Sequence, residues 1–308
     1  MFSLKNSFVN YWLVDSYSAF AKNSYSKYIK YIFRYIANGS VNYQWSKFIN
    51  STEQHKRWTN YYGYSFLRKM QYSYLSLHLS KKEQLNILQQ HYNWLFSNIK
   101  EESYYREISL FNSTFTDNLD NQHLVEIILQ CNSTFEYEGE MSMLMKVNGS
   151  IQYTLTFSSM LDHQKSCFFI GGLQAGKQDV TTLDSLKVLT KTMHGLRPKQ
   201  FILHALSILA NQFDVDSIFA ISNKNHVFNG LQRLWTKKQV KASLDGFWEE
   251  FDAQKIAKGN YCFKPLSSTI DLEEIASKKR SQYRKRQLIL DDLNEQIEKN
   301  INHVRCVA

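Results

Sequence analysis

The residues best suited to chemistry lie in a glycine-containing stretch between Gly171 and Gln200. In its second part, Pro198 occupies a position that opens a helix. The N-terminus of a helix carries unpaired N–H groups, and Arg197 and Lys199 flank this one, so we predict a pocket for an anion or a cofactor. The predicted lining residues are Gly195, Arg197, Lys199, Gln200, Gln174 and Lys191. The alternative is structural, because neither GxGxxG nor GxxxxGK[ST] is present and the glycine can simply turn the chain.

Two residues beside this pocket can act as a general base. His194 stands in a basic loop, and imidazole readily exchanges a proton near neutral pH. Glu140, in the segment Glu138-Gly139-Glu140, supplies a carboxylate that can accept a proton or orient a substrate amine. We predict both as catalytic candidates. The alternatives are a structural histidine and a charged turn, which are the commoner roles of such residues.

A basic amphipathic helix is predicted near the N-terminus, between residues 24 and 39. Five apolar residues share one face at helical spacing, and Lys27, Lys30 and Arg34 share another. Asn38-Gly39 is suited to a left-handed stop. A helix of this kind can lie on an anionic membrane surface, attract nucleic-acid phosphate, or pack its apolar face on the rest of the domain.

A second basic cluster is predicted to begin a long C-terminal helix. Lys278, Lys279 and Arg280 are followed by Arg284-Lys285-Arg286 with no acidic residue between them. We expect the helix to start at about Asp271 and to pack through apolar residues of its second half: Leu290, Leu293, Ile297 and Ile301. The basic half can bind phosphate or membrane, or it can be a solvated face.

Short runs with partial apolar alternation predict the strands that position the pocket. They are residues 124–130, 140–147, 151–158, 167–173 and 216–222. Asn148-Gly149 links the second run to the third and predicts an antiparallel hairpin. The later order of strand, loop, helix from Pro198 and strand forms a βαβ-like unit. Ser80 and Glu83 form a predicted capping box that starts another helix.

Charge and aromatic content divide the chain near residue 100. Residues 1–100 carry 13 Lys and Arg against 3 Asp and Glu, whereas residues 101–308 carry 24 against 25. The first segment also holds 13 of the 19 Tyr and 4 of the 6 Trp. We predict an α+β protein with a mostly helical, basic region at 1–100. The core at 101–308 should then hold a mixed, largely antiparallel sheet with packed helices and the long C-terminal helix.

The sequence also argues against several classes of protein. The four cysteines form no CxxC pair, so no metal site is predicted and a reducing compartment is expected. The first twenty residues lack the continuous apolar region of a secretory signal. The longest mostly apolar run, residues 201–210, is far shorter than the roughly 20 residues of a membrane span, so no transmembrane segment is predicted. No helix-turn-helix or other named module favours a nucleic-acid partner.

Several motifs together resemble the VirK/YbjX-like family of bacterial proteins. The resemblance covers about residues 60 to 295 and is carried by Glu138-Gly139-Glu140, Ile170–Gln174, Leu189–Lys191, His194–Lys199, Phe247–Glu249 and Ser277–Arg286. It implies a domain of unknown biochemical function, associated with virulence in Gram-negative bacteria. It further implies a link to surface localisation of outer-membrane or autotransporter proteins and to resistance to cationic antimicrobial peptides. It transfers no catalytic residue.

The predicted order of elements is also similar to the core of the GCN5-type N-acyltransferases. In that fold a helix N-terminus receives the pyrophosphate of CoA, a place that His194–Gln200 would take here. This resemblance implies acyl-CoA or an acyl carrier protein as cofactor. The Arg/Gln-x-x-Gly-x-Gly/Ala pattern of that fold is absent from this sequence.

Two hypotheses about function follow. In the first, the protein is an accessory factor of the cell envelope, cytoplasmic and peripheral at the inner membrane. Its basic, aromatic N-terminal region contacts an anionic membrane surface or an envelope protein client. In the second, it is an acyltransferase dependent on acyl-CoA or an acyl carrier, in which Arg197 and Lys199 hold phosphate and Glu140 or His194 accepts a proton. Whether the protein is an enzyme stays open between them.

Overall fold

The computed structural model describes residues 29, 33–34, 36–63, 66, 68–133, 135–177, 182–230, 243–271, 273 and 275–306. The chain divides into two compact units. Met1–Tyr74 and Leu79–Asn86 belong to the first, and Leu75–His78 and Ile87–Ala308 belong to the second. Most of the predicted basic helix at 24–39, including Lys27 and Lys30, lies outside the described residues.

Two of the described helices of the first unit share an aromatic core. They are α1, Gly39–Ile49, and α2, Glu53–Tyr62, and neither has a counterpart among the sequence-based predictions. The rings of Trp45 and Trp58 are buried. Trp45 donates its indole N–H to the carbonyl of Phe66 at 3.0 Å, which satisfies the polar atom of a large buried apolar side chain.

Helix α1 begins at the position where the predicted basic helix should stop. Asn38 has a φ of −116°, and its carbonyl accepts the N–H of Asn42 at 3.0 Å. The predicted left-handed stop is therefore wrong, because the chain makes one turn at Asn38 and resumes helical hydrogen bonding. Arg34, one of the three cations of the predicted basic helix, is described: its guanidinium lies 5.0 Å from the centre of the Tyr72 ring.

The predicted capping box is confirmed at the start of α3, Lys81–Asn98. The N–H of Ser80 donates to Oε2 of Glu83 at 2.7 Å, and the N–H of Glu83 donates to Oγ of Ser80 at 3.3 Å. These bonds satisfy two N–H groups that a helix end would otherwise leave unpaired. The first turns of α3 belong to the first unit, and the helix continues into the second.

A mixed sheet of eight strands forms the core of the second unit, in the order β1-β2-β3-β4-β5-β6-β8-β7. The strands are β1 Glu107–Thr116, β2 Gln122–Gln130, β3 Met141–Val147, β4 Ser150–Asp162, β5 Lys165–Ala175, β6 Ser217–Ala220, β7 Gln254–Lys255 and β8 Tyr261–Phe263. Strands β1 to β5 are an antiparallel meander, β6 pairs parallel with β5, and β8 and β7 pair antiparallel beyond it. The predicted α+β class is confirmed.

The predicted hairpin between β3 and β4 is confirmed as well. Asn148 and Gly149 have φ values of 49° and 77°, and Val147 pairs with Ser150. Positive φ at both central residues is the geometry that suits the twist of two hairpin strands. Strand β1 was not predicted, although its alternation of buried and exposed residues is the pattern that indicates a half-buried strand.

Helices cover the sheet and connect its parallel pair. They are α4 Leu183–Thr192, α5 Pro198–Gln212, α6 Asp245–Glu249 and α7 Ser277–Val304. The first two, α4 and α5, join β5 to the parallel strand β6. Helix α5 starts at Pro198 as predicted and packs on β3, β4 and α7, and α7 packs also on β1.

Helix α7 begins six residues later than predicted. Oδ1 of Asp271 accepts the N–H of Glu273 at 2.9 Å, so the predicted start is a local turn instead of a helix. From Ser277 the helix runs to Val304. The predicted apolar residues Leu290, Leu293, Ile297 and Ile301 are all buried.

Candidate functional site

Three segments that lie far apart in the sequence meet around the turn between α4 and α5. We name them the converging segments: the turn His194–Lys199, Phe247–Glu250 at α6, and Gln282–Arg286 in α7. The first is joined to the other two by side-chain bonds that span 53 and 92 positions of the chain. All three overlap motifs that carry the family resemblance. The fold therefore concentrates those motifs at one place in the second unit.

The turn requires glycine at its second left-handed position. His194 and Gly195 have φ values of 52° and 82°. The N–H of Gly195 donates to the carbonyl of Thr190 at 2.7 Å and so closes the end of α4. A Cβ at Gly195 would lie 2.6 Å from Nε2 of Gln282 and 2.9 Å from Nη2 of Arg286. Glycine thus permits both the turn and the close approach of α7.

The two cations predicted to hold an anion contact α6. Arg197 forms a two-pronged ion pair with the carboxylate of Glu250. Nζ of Lys199 lies 4.1 Å from the centre of the Phe247 ring. Burial lowers the pKa of Lys199 to about 8, although the charge of Glu250 acts in the opposite direction. Both positive charges are therefore already compensated by residues of the chain.

The N-terminus of α5 also satisfies part of its own backbone. The side-chain carbonyl of Gln200 accepts the N–H of Arg197 at 3.3 Å. The N–H groups of Gln200 and Phe201 both donate to the carbonyl of Arg197, at 2.9 and 3.0 Å. These bonds occupy donors that the predicted pocket would offer to a ligand. The anion or cofactor pocket at Arg197, Lys199 and Gln200 therefore stays a prediction.

His194 lies next to two cations of α7 that belong to no ion pair among the described residues. Its carbonyl accepts Nη2 of Arg286 at 3.3 Å. Burial, and then the charges of Lys285 and Arg286, lower the pKa of His194. The same applies to His204 on α5, whose pKa falls to about 4 through burial and the charge of Arg286. Both imidazoles are therefore neutral near pH 7.

Gln174 lies in a different place, beside a fully buried carboxylate. Its side chain donates to Oε1 of Glu138 at 2.5 Å, and Nε2 of His226 lies 3.5 Å from the same oxygen. Nδ1 of His226 accepts the N–H of Phe228, so Nε2 carries the proton of the neutral ring. Burial lowers the pKa of His226 to about 4, so its ring is neutral near pH 7 and its contact with Glu138 is not an ion pair.

Glu138 occupies space that glycines in β5 leave open. A Cβ at Gly171 would collide with the carbonyl oxygen of Glu138, and a Cβ at Gly172 would collide with Oε2 of the same residue. The parallel pairing of β5 with β6 ends just before, at Ile170 and Ala220. Gly171 therefore makes room for the main chain of Glu138, and Gly172 makes room for its buried side chain.

Glu140, the predicted carboxylate base, is 3% exposed. Its Oε2 accepts the hydroxyl of Tyr92, and its N–H donates to Oγ of Ser158 at 3.0 Å. None of these contacts places Glu140 among the converging segments. Its role as a base stays a prediction.

Lys191 lines a small cleft between the β1–β2 turn and α4. The cleft has about 180 Å³ of free volume and is also lined by Asp117, Asn118, Leu119, Val188 and Thr192. Hydrogen bonds from Asn121 and His123 and from backbone N–H groups hold the pKa of Asp117 well below its usual range. Lys191 is thus separated from the Arg197 side of the turn that the sequence grouped with it.

The start of α7 is a solvated basic segment. We name residues 278–286 the basic segment of α7, because six of its nine residues are Lys or Arg and none is acidic. Lys278, Lys279 and Arg280 are exposed, and Tyr283 and Arg286 are partly buried. The guanidinium of Arg286 lies 4.4 Å from the centre of the Tyr283 ring. One edge of the segment therefore packs on the unit, while most of its charge faces solvent.

Several residues of the site were not assigned by sequence reasoning. They are Glu250, Gln282, Arg286 and His204. Each lies in or near a predicted motif or helix, yet the side-chain bonds of Glu250 and Arg286 join them to residues 53 and 92 positions away. Spacing along the chain carries no signal for such contacts. The basic run and the family motif at Ser277–Arg286 were the available hint for Arg286.

The fold and the converging segments define an α+β protein with a mixed sheet and a long C-terminal helix that starts basic. A family described as "Protein of unknown function (DUF535)" matches residues 21–299, and the chain belongs to this family. The chain is 28% identical to an uncharacterized protein YbjX of Escherichia coli K12 over 232 residues, 73% of this chain and 68% of that protein. The predicted VirK/YbjX-like membership is confirmed.

Two further bacterial proteins are similar to this chain, one in sequence and one in structure. An uncharacterized protein of Haemophilus influenzae is 28% identical over 185 residues, 57% of this chain and 60% of its own length. A mutant form of a cAMP-binding acyltransferase from Mycobacterium smegmatis aligns with a TM-score of 0.29 at 8% identity. That alignment covers 73% of this chain and 63% of the acyltransferase. None of the described helices is long and apolar enough to cross a membrane.

Proposed function

We propose that this protein is an accessory factor of the Gram-negative cell envelope that acts from the cytoplasmic side and docks on anionic membrane through the basic segment of α7. The envelope role is the one that the VirK/YbjX-like resemblance implies, with surface localisation of outer-membrane proteins and resistance to cationic antimicrobial peptides as its consequences. The observation that carries the docking is the exposure of Lys278, Lys279 and Arg280 without an acidic residue in the segment.

The energy of such docking comes from the field of the anionic lipids. Each Lys or Arg near that surface contributes about 1 kcal/mol, and salt screens the attraction over a distance of about 10 Å at 0.1 M. Three exposed cations of α7 are thus sufficient for a salt-sensitive association. Lys27, Lys30 and Arg34 belong to the same proposal as a second basic contact from the N-terminal region.

Vesicle sedimentation tests the proposal. We expect full-length protein to bind phosphatidylethanolamine–phosphatidylglycerol vesicles at low salt and to be released as salt rises. The variant K278Q/K279Q/R280Q should bind about 100-fold more weakly, since it loses about 3 kcal/mol of attraction. The variant K27Q/K30Q/R34Q tests the N-terminal contact in the same assay.

A charge-matched control separates docking from net charge. Lys165, Lys224 and Lys264 are exposed residues of the second unit outside the basic segment. The variant K165Q/K224Q/K264Q removes the same charge and should retain most of the binding. Equal losses in the two second-unit variants, or binding that salt does not alter, would contradict docking through α7.

Acyl transfer has one support, which is the order of elements. The parallel pair β5 and β6 is joined through α4 and α5, as the similarity to GCN5-type acyltransferases implied. The contacts of Arg197 with Glu250 and of Lys199 with Phe247 do not favour a CoA pyrophosphate there. We therefore rank acyl-CoA or acyl-carrier chemistry, with His194 or Glu140 as base, behind the accessory role.

A further inference from the structure

We propose that Arg286, together with His194, His204 and Gln282, forms a binding site for the phosphate group of a phosphomonoester. The inference rests on the proposed function in one respect, since an envelope lipid headgroup is one source of such a phosphate. It differs from the sequence-based pocket, which used Arg197 and Lys199. The site lies where the basic segment of α7 meets the turn after α4 and the side of α5.

Arg286 uses only part of its capacity to donate hydrogen bonds. Nη2 donates to the carbonyl of His194, and the guanidinium lies against the ring of Tyr283. Nε is buried and has no hydrogen-bond partner among the described residues. Arg286 also has no carboxylate partner there, whereas Arg197 is paired with Glu250. A partly buried guanidinium with a free donor favours an anion that accepts two bonds at once.

The imidazole of His204, on the neighbouring helix α5, has an unused nitrogen. Nδ1 of His204 is buried and has no hydrogen-bond partner among the residues that the structure describes. His204 lies on α5, which packs on α7, and it is close enough for the charge of Arg286 to lower its pKa. Unpaired buried polar atoms are costly, so each of these two atoms favours a polar partner that the described residues do not supply.

The turn at Gly195 lies close to two polar side chains of α7. At Gly195 the backbone comes so close to α7 that a Cβ would collide with the ends of both Gln282 and Arg286. The amide of Gln282 and the guanidinium of Arg286 therefore converge on one spot at the turn. Gln282 is exposed, so a ligand can reach that spot from solvent.

The charges around His194 also favour an anionic ligand. The fields of Lys285 and Arg286 both reach His194, and the carboxylates closest in sequence on α7, Asp291 and Asp292, accept bonds from Gln287 and Gln296. A phosphomonoester brings up to two negative charges and several acceptor oxygens on a terminal group. Phosphate therefore matches this donor set better than a neutral ligand does.

Calorimetric titration of full-length protein with glycerol 3-phosphate tests the site. We expect saturable binding that R286Q weakens about 10- to 100-fold, the range for bonds from a charged donor. The matched control is R284Q, which removes the same charge from an exposed position two residues earlier and should change the affinity less than about threefold. R286K retains the charge without the planar fork, and it should also weaken binding if R286Q fails to fold.

A second experiment, on vesicles, decides whether the phosphate belongs to a lipid headgroup or to a soluble ester. Vesicles with phosphatidic acid are compared with phosphatidylglycerol vesicles of equal charge, using wild type and R286Q. A preference for phosphatidic acid that R286Q abolishes supports a lipid headgroup, whereas binding of glycerol 3-phosphate without that preference supports a soluble ester. Absence of both, or equal losses in R284Q and R286Q, overturns the site.

The two proposals fail in distinguishable ways. K278Q/K279Q/R280Q leaves the four proposed contacts in place, so it should still bind glycerol 3-phosphate as wild type does. Wild-type protein that binds the soluble ester but not anionic vesicles would contradict membrane docking and leave the phosphate site standing. Vesicle binding that depends on Lys278–Arg280, with no binding of glycerol 3-phosphate and no preference for phosphatidic acid, would contradict the phosphate site and leave membrane docking standing.

Discussion

At the scale of single residues, Gly195 links the local turn to the tertiary contact. Its φ of 82° is one that side chains rarely adopt, and the space at its Cα is occupied by Gln282 and Arg286. Gly149 provides a natural comparison, with a φ of 77° and no atom within 4 Å of a built Cβ. The pair separates the cost of backbone strain from the cost of crowding.

We expect G195A to lower the free energy of unfolding by about 2 kcal/mol and G149A by about 1 kcal/mol. Both variants are strained by the positive φ, and only G195A must also displace side chains of α7. Urea denaturation followed by circular dichroism measures the difference. Adding Q282A to G195A should recover part of the loss, and equal losses in the two single variants would show that crowding contributes nothing.

The sequence identified some of these residues and not their partners. Gly195, Arg197 and Lys199 were recognised because glycine, proline and cations have meaning within a short stretch. Glu250 and Arg286 were not connected to that stretch, since contact across 53 or 92 positions depends on how helices pack. Gln174 and Glu140 were grouped with the turn although each lies with a different buried partner.

At the scale of elements, the two halves of helix α7 differ in charge and in burial. Its first turns are charged and largely exposed, and its second half is buried against α5 and β1. The spacing of Leu290, Leu293, Ile297 and Ile301 predicted the buried half because a helical period is visible in sequence. The start was placed too early because acidic residues before Ser277 resemble a helix N-terminus.

The two halves should respond differently to substitution. Leu293 is fully buried, so L293A should lower the free energy of unfolding by about 2 to 5 kcal/mol. K279Q, in the exposed half, should change it by no more than about 0.5 kcal/mol. Thermal or urea unfolding of the three proteins tests this, and a large loss in K279Q would mean that the basic half packs more than its exposure indicates.

At the scale of the whole molecule, the four thiols are free and mostly shielded. Cys131 and Cys167 are buried, and Cys262 and Cys306 are partly so. Burial raises the pKa of Cys131 to about 12 and also raises the pKa values of Cys167 and Cys262. Shielded thiols with little thiolate react slowly and need no disulfide partner.

We therefore expect thiol titration with Ellman's reagent to proceed in two stages. Native protein should react slowly and incompletely, with Cys306 first, and denatured protein prepared without reductant should yield all four thiols. A C306S variant identifies the early reaction. Fewer than four thiols after denaturation would reveal a disulfide and contradict the expected reducing compartment.

Helix α3 has a further consequence for how this chain can be divided. Leu75–His78 belong to the second unit and Leu79–Asn86 belong to the first. The chain therefore passes from one unit to the other more than once within about a dozen residues. No single cut yields each unit complete. A cut before Leu75 leaves the second unit whole but takes the capped start of α3 from the first. The two units are therefore not interchangeable as blocks of sequence, and a recombination event near residue 80 would deliver an incomplete piece of either one.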